Sequence, residues 1–538
     1  MELADRLVDL LAEEDPLNEL LDGYPGFEHR LPDLDEAEGL RLRDRARDIA
    51  QAAAKLDPQD RVTRGVVVQQ AESLATRVDA RLVEHTVADH VVSPAAVLLS
   101  RLPHAVPADP AHYLARLGAV PEFLAVAAER HRGGLAAGRL PVAHLVAAAI
   151  RRLDGYLADP VGDPLRRAPL SGRRAAAKRD RVLDERVRPA VVRYREMLRT
   201  ELAPHGRPPD RPGLCWLPDG DATYAALVGM HTTTSDSQED LHRTGLDLLE
   251  RLSGEYLIIG AKALGARSFA EVQDRMRTDP ALRFGGAEQV LAVNRAAMDR
   301  AEAAAPAWFG RLPRHRCRLA PTPELVAPTQ SAASYQPGPL DGSRPGTYHV
   351  NTYRATERDR CIAEANAFHE AVPGHHVQIS LAQELTGVPL LRKVAWVNAY
   401  MEGWALYCER LADEMGLYSD DVARLGMLAN DSMRAARLVV DTGLHHFGWS
   451  RRQAVDFLRG NTVMSEVEIQ SETDRYIEQP GQALSYMVGR LEFQRLRGLA
   501  ERTLGTSFDV RSFHDLVLGV GPVPMAVLDD VVVRYVER

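Results

Sequence analysis

The sequence predicts a mainly α-helical protein folded in two lobes, with one short β-ribbon. Apolar residues recur at helical spacing along most of the 538 residues, and strand-prone residues interleaved with Gly and Pro gather only at Ser331 to Tyr353. A Pro- and Gly-rich stretch from Pro204 to Gly213 cannot continue a helix and separates an N-terminal helical lobe, residues 1–205, from a second lobe, residues 206–538. With 45% hydrophobic and 26% charged residues, a chain of this length buries extensive cores without disulfides or structural metals.

In order along the chain, Leu3, Leu7, Leu10 and Leu11 fall at i, i+4, i+7 and i+8 and predict an amphipathic first helix. The same acidic stretch, MELADRLVDLLAEED, has no basic n-region and is not expected to act as a secretory signal. Ala, Leu and Val at helical spacing continue to about residue 200. The one sustained basic run, RRAPLSGRRAAAKRDR at Arg166 to Arg181, reads as a solvated helix start. With a net charge of −9 it leaves no nucleic-acid footprint. No apolar run approaches 18 residues, so no spanning helix and no membrane partner are expected. Cys215, Cys317, Cys361 and Cys408 are scattered without metal-binding spacing, as expected of a reduced, cytoplasmic protein. Beyond the break, Asp240 to Leu264 and Phe269 to Ala305 read as further helices.

The octet HEAVPGHH, His369 to His376, carries the chemistry. In the usual zinc-hydrolase pattern two histidines at i and i+4 share an ion and the Glu after the first acts as base. Here the later histidines lie at +6 and +7. On an ideal helix, at about 100° and 1.5 Å per residue, one is on the wrong face and the other ~10 Å along the axis. Pro373 has no amide hydrogen and Gly374 tolerates unusual dihedrals, so a two-residue bulge would make His375 behave as though at +4. This favours His369 and His375 as ligands and Glu370 as base, with His376 an alternative ligand or a donor to substrate.

Downstream, the apolar run Ala399 to Glu409 offers Glu402 and Glu409, whose charges are costly to bury without a cation. Glu402, 27 residues after His375, is the expected third ligand (402 minus 375). Two histidines and a carboxylate with one position open form a catalytic zinc set; manganese or cobalt suit the same donors. Glu409, seven residues on, is the candidate acceptor orienting a ligand histidine. In RAARLVVDTGLHHFGW, Arg437, Asp441 and His445 share one helix face. They either orient the zinc site, hold a substrate carboxylate, or form a structural ion pair beside a core histidine.

HEAVPGHH, EGWALYCE and RYIEQPGQALSYMVGRLEF, preceded by LPDGDATYAALVGMHTTT and DGSRPGTYHVNTY, resemble the bacterial domain-of-unknown-function family 885, most densely from Gly213 onward. That family is similar to the helical gluzincin peptidases such as the oligopeptidases and carboxypeptidase Taq. The resemblance implies a deep cleft between lobes, one Zn2+ per chain held by His369, His375 and Glu402, and Glu370 as base. The two extra residues before Gly374-His375 depart from the shorter peptidase motif. The resemblance further implies an oxyanion donor in the C-terminal tyrosine segment, where Tyr486 is the first candidate and Tyr476 the reserve. It also implies a strand bordering the cleft that pairs with extended substrate, with Tyr348 to Tyr353 as that edge and Asn351 available to fix a peptide group.

The function expected is therefore a zinc-dependent metallopeptidase that hydrolyses peptide bonds of short or unfolded peptides with Glu370-activated, zinc-bound water. A metal-dependent amidohydrolase of a non-peptide metabolite would use the same metal residues. A non-catalytic binding protein on this fold would not need Glu370.

Overall fold

A computed structural model describes residues 2–537 apart from 22–23, 56–59, 89–92, 325–326 and 328–329. The chain is mainly helical, as expected, and its one sheet has three short strands. The first helix, Glu2–Glu14, buries Leu7 and Leu10 on the face the spacing predicts. The Gln238–Leu264 helix starts at a Ser237 cap, whose side chain accepts from the Asp240 amide, and ends at Gly265 with φ of 67°. The expected Phe269 to Ala305 helix is two helices, Phe269–Thr278 and Ala287–Trp308. Pro280, in a short 3-10 turn, and Gly285-Gly286 separate them, because Pro removes an amide donor and Gly weakens the helix.

The sheet is β1 (Arg318–Pro321), β2 (Ala333–Gln336) and β3 (Thr347–Val350), in the order β1-β3-β2. β3 runs parallel to β1 and antiparallel to β2, with Tyr348 opposite Leu319 on one side and Tyr335 on the other. This corrects the expected cleft edge: the segment starting at Tyr348 is the central strand, and the free edges belong to β1 and β2. Asn351 is corrected with it. It is fully buried, its amide donates to the carbonyls of Ala327, Gln330 and Ser331, and its oxygen accepts from the Tyr353 amide. Its amide hydrogens are spent on these carbonyls and none is left to fix a substrate.

Two apolar cores hold the helices, and each draws on residues from both sides of residue 205. The Pro204–Gly213 stretch is itself packed. Buried Arg207 donates to the carbonyls of Leu140, Arg211 and Gly213, and a Cβ on Gly213 would lie 1.7 Å from the Leu444 carbonyl oxygen. The helices Ala363–Glu370 and Asn398–Glu414 contribute to both cores: Ala365 and Leu406 to one, Phe368 and Trp404 to the other. The site residues they carry thus sit where the two cores meet.

One crossing positions these helices against the C-terminal part of the chain. The Asn398–Glu414 helix packs on the Ser485–Leu504 helix backbone to backbone: a Cβ on Gly403 would lie 2.4 Å from the Gly489 Cα, and one on Gly489 would lie 1.8 Å from the Ala399 carbonyl oxygen. Gly489→Ala is expected to force the helices apart and cost about 1–3 kcal/mol, as overpacking in a close-packed interior does. Thermal unfolding measures this, and an unchanged transition would show that the crossing yields without cost.

Candidate metal centre

The HEAVPGHH octet is two helices with a break between them. The Ala363–Glu370 helix carries His369 and ends at Glu370; the His375–Gln383 helix begins at His375. Ala371 and Gly374 take non-helical dihedrals, and the Val372-Pro373 peptide is cis. This corrects the expected two-residue bulge, since the whole Ala371–Gly374 segment leaves the helix. A Cβ on Gly374 would lie 1.9 Å from the His369 carbonyl oxygen, so only glycine allows the chain to fold back this closely. The Trp404 indole donates to the Pro373 carbonyl at 3.0 Å and ties the break to the helix that carries Glu402.

The break brings three donors together. Ligand atoms of His369, His375 and Glu402, all buried, lie within 4.8 Å of one another. Glu402 Oε2 is 3.7 Å from His369 Nε2 and 3.4 Å from His375 Nε2. Donors about 2.0–2.1 Å from a tetrahedral ion are about 3.3–3.5 Å apart, so the residues fit a zinc-sized cation with one position open. His369 Nδ1–H donates to Glu409 Oε1 at 2.8 Å, which fixes the tautomer and aims Nε2 at the cluster. Fully buried Glu409 is held in turn by the Asn430 amide at 2.9 Å. Behind His375 there is no such carboxylate among the described residues, and its buried Nδ1 has no hydrogen-bond partner.

Electrostatics follow from this packing. Burial opposes charge on both His369 and Glu402. Hydrogen bonds to Glu402 and Glu409 nevertheless push His369 up to about 9, and the two imidazoles hold Glu402 below the usual carboxylate range. A cation would take over the role that this proton plays. Glu370 is half-buried at the helix end, and its carboxylate has no hydrogen bond or ion pair among the described residues.

His376 points elsewhere. Its Nε2–H donates to the His315 carbonyl at 2.9 Å and its Nδ1 accepts from the Tyr335 hydroxyl at 3.1 Å, so the ring ties the His375 helix to β2. With both nitrogens engaged, it is neither in the donor cluster nor free for substrate, and burial lowers it to about 4.

The Arg437, Asp441 and His445 stripe lies on the Asp421–His445 helix and is wholly buried. Asp441 Oδ1 accepts from the Tyr224 hydroxyl at 2.6 Å and the Gly481 amide at 3.0 Å. His445 Nδ1 accepts from the Leu214 amide and its Nε2–H donates to the Tyr476 carbonyl. These two residues fasten the 214 and 476–481 segments to the helix and touch no member of the donor cluster. Tyr476 is engaged as well: its hydroxyl accepts from Arg437 Nε and donates to Glu472 at 2.6 Å. Tyr486 differs. Burial and the Glu402 charge raise its hydroxyl above its ordinary value, against Arg437, Arg475 and a hydrogen bond with Gln482, and its helix packs on the one that carries Glu402. Sequence reasoning missed Asn430, Tyr335, Trp404 and the Gly403–Gly489 pair. Their partners are 21 to 86 residues distant in the chain, and no local spacing marks them.

A mainly helical protein with a buried His-His-Glu cluster and an unpaired glutamate beside it is the class that this geometry defines. The chain belongs to the DUF885 family, bacterial proteins of unknown function, whose model matches residues 16–532. The fold is similar to a "putative lipoprotein" of Colwellia psychrerythraea, with a TM-score of 0.90 and 25% identity over 100% of this chain and 99% of that one. It is also similar to a "putative lipoprotein of unknown function" of Shewanella oneidensis, with a TM-score of 0.74 and 17% identity over 99% of both chains. No curated protein matches the chain. Among the described residues no helix is long and apolar enough to cross a membrane.

Two outcomes are expected from the centre. His375→Ala should lose most bound zinc after dialysis while His376→Ala retains about one ion per chain, because only His375 reaches the donor cluster; elemental analysis that gives the reverse order would overturn the ligand set. The second concerns Asp441, pushed up to about 7 mainly by burial. Its ordinary value is 3.8, so between about pH 4 and pH 7 the folded state keeps a proton that the unfolded state has released. Its contribution to stability is full below about pH 4 and falls as pH rises through 7. Asp441→Asn keeps Oδ1 as acceptor for both donors and should gain stability relative to wild type over that range. Urea unfolding of both proteins across the range measures it, and parallel pH profiles would refute it.

Proposed function

We propose that this protein is a metal-dependent hydrolase of peptide bonds, with zinc the preferred ion and short or unfolded peptides the substrates. The observation that carries the reading is the convergence of His369, His375 and Glu402 next to a glutamate, Glu370, that no other side chain occupies. A set of two histidines and one carboxylate leaves a position open for chemistry, whereas a structural site closes all four. The bound ion would supply Lewis acidity to the scissile carbonyl. Glu370 takes a proton from the attacking water and returns it to the leaving amine. The Tyr486 hydroxyl donates to the developing oxyanion. Glu409 holds His369 in the tautomer that presents Nε2. The outer edge of β2, joined to the His375 helix through Tyr335 and His376, is the strand edge open to an extended peptide backbone.

The compartment is part of the proposal. Four free cysteines, three of them buried, suit a cytoplasmic protein, whereas the lipoprotein name of the two structural neighbours belongs to an extracytoplasmic one. Fractionation of producing cells decides between them.

Glu370→Gln should keep its zinc and lose at least about 100-fold in turnover, the lower end for removing a general base. The check is product formation from a mixed pool of short peptides, followed by mass spectrometry. A wild-type protein that is loaded with zinc and cleaves no peptide, or a Glu370→Gln variant of normal rate, would sink the reading.

A further inference from the structure

The Asp421–His445 helix passes behind the centre and carries a second set of buried polar groups. Asn430 holds Glu409, the residue behind His369. One turn further along the same helix is Arg434, 8% exposed, with Nε and Nη1 buried and without a hydrogen-bond partner. Among the described residues no carboxylate pairs with it. Arg437, 5% exposed, donates through Nε to Tyr476 and through Nη2 to Glu472, but its buried Nη1 has no partner. Both guanidinium carbons lie against the Tyr486 ring, 5.8 Å and 4.6 Å from its centroid, and Tyr486 in turn feels the charge of Glu402.

The other arginines nearby are neutralised. Arg410 and Arg490 both pair with Asp431. Arg437 and Arg475 by contrast share the single carboxylate of Glu472, and among the described residues Arg434 has none. A buried guanidinium with idle donors and no counter-ion is costly, and a planar anion that enters the site removes that cost. We propose that Arg434 and Arg437 form a carboxylate-binding subsite beside the metal centre that holds the C-terminal carboxylate of a peptide, which makes the enzyme a C-terminally acting peptidase.

This inference rests on the peptidase reading and narrows it. The guanidiniums lie against the ring of Tyr486, whose helix packs on the one that carries Glu402, and one or two extended residues at about 3.3–3.6 Å each would bridge from the centre to them. A C-terminal carboxylate stands at that distance in any peptide cut near its end, whatever its side chains. An acidic side chain would supply the same chemistry only in particular sequences.

The test is calorimetric binding to the zinc-loaded Glu370→Gln protein, in which turnover is cut by at least about 100-fold. The probes are trialanine, its C-terminal amide, and an amide tripeptide with aspartate at the last position. Trialanine should bind about 10–100-fold more tightly than either amide, and Arg434→Met should abolish that preference while Arg434→Lys keeps part of it. Equal binding of trialanine and its amide, or no binding of either, overturns the subsite. Binding of the aspartyl amide as tightly as trialanine overturns the C-terminal assignment. If Arg434→Met fails to fold, the three probes on the parent protein and on Arg434→Lys still decide. Turnover separates the two readings: wild type that cleaves trialanine and its amide equally well leaves the peptidase reading standing without the subsite. A carboxylate preference in binding without any cleavage leaves the subsite standing without the peptidase.

Discussion

The close approach of Gly374 to the His369 carbonyl is the constraint on which the centre depends. With a Cβ there, the chain would collide with the end of the preceding helix, and the next helix could not start where it does. Because it does start there, a histidine six residues on presents its Nε2 to the same point as His369, and the following histidine faces away to anchor β2. The Trp404 hydrogen bond to Pro373 belongs to the same turn, so the break is also fixed from the helix that supplies Glu402.

Around this turn the protein buries ionisable groups that it then satisfies from behind. Glu409 and Asn430 stand behind His369, Asp431 between Arg410 and Arg490, and Glu472 beside Arg437 and Arg475. Buried charge persists only when it is paired and hydrogen-bonded, so such chains fix the position of each side chain as well as its ionisation. Among the groups left incomplete are the cluster of His369, His375 and Glu402 and the idle donors of Arg434, whose guanidinium lies against the Tyr486 ring.

The glycine crossing and the two cores set the larger frame. Gly403 lets the Glu402 helix press on the Tyr486 helix, which brings a ligand candidate and an oxyanion-donor candidate onto facing backbones. Since both cores recruit residues from either side of residue 205, the N-terminal helices take part in the packing that supports the centre.

Much of this was legible in residue order. The helical class follows from apolar spacing, and His369, His375, Glu402 and Glu409 follow from the need of closely placed imidazoles and buried carboxylates for one another. Gly and Pro in the octet signalled an interruption, though not its extent, because dihedral freedom says where a helix can break and only packing says how far. The centre of the sheet was misread as an edge, since a strand's neighbours are set by pairing with β1 and β2 from 11 or more residues away (347 minus 336 at the nearest pair). Asn351 looked available, and Asp441 and His445 stayed open between a site role and a structural one, because a sequence shows a polar side chain without the carbonyls and amides that occupy it. Short-range spacing thus determined which residues carry the chemistry. Tertiary structure alone decided which are spent on holding the fold and which, like Arg434, are left with donors to spare, because hydrogen-bond satisfaction in a buried interior comes from partners distant in the chain.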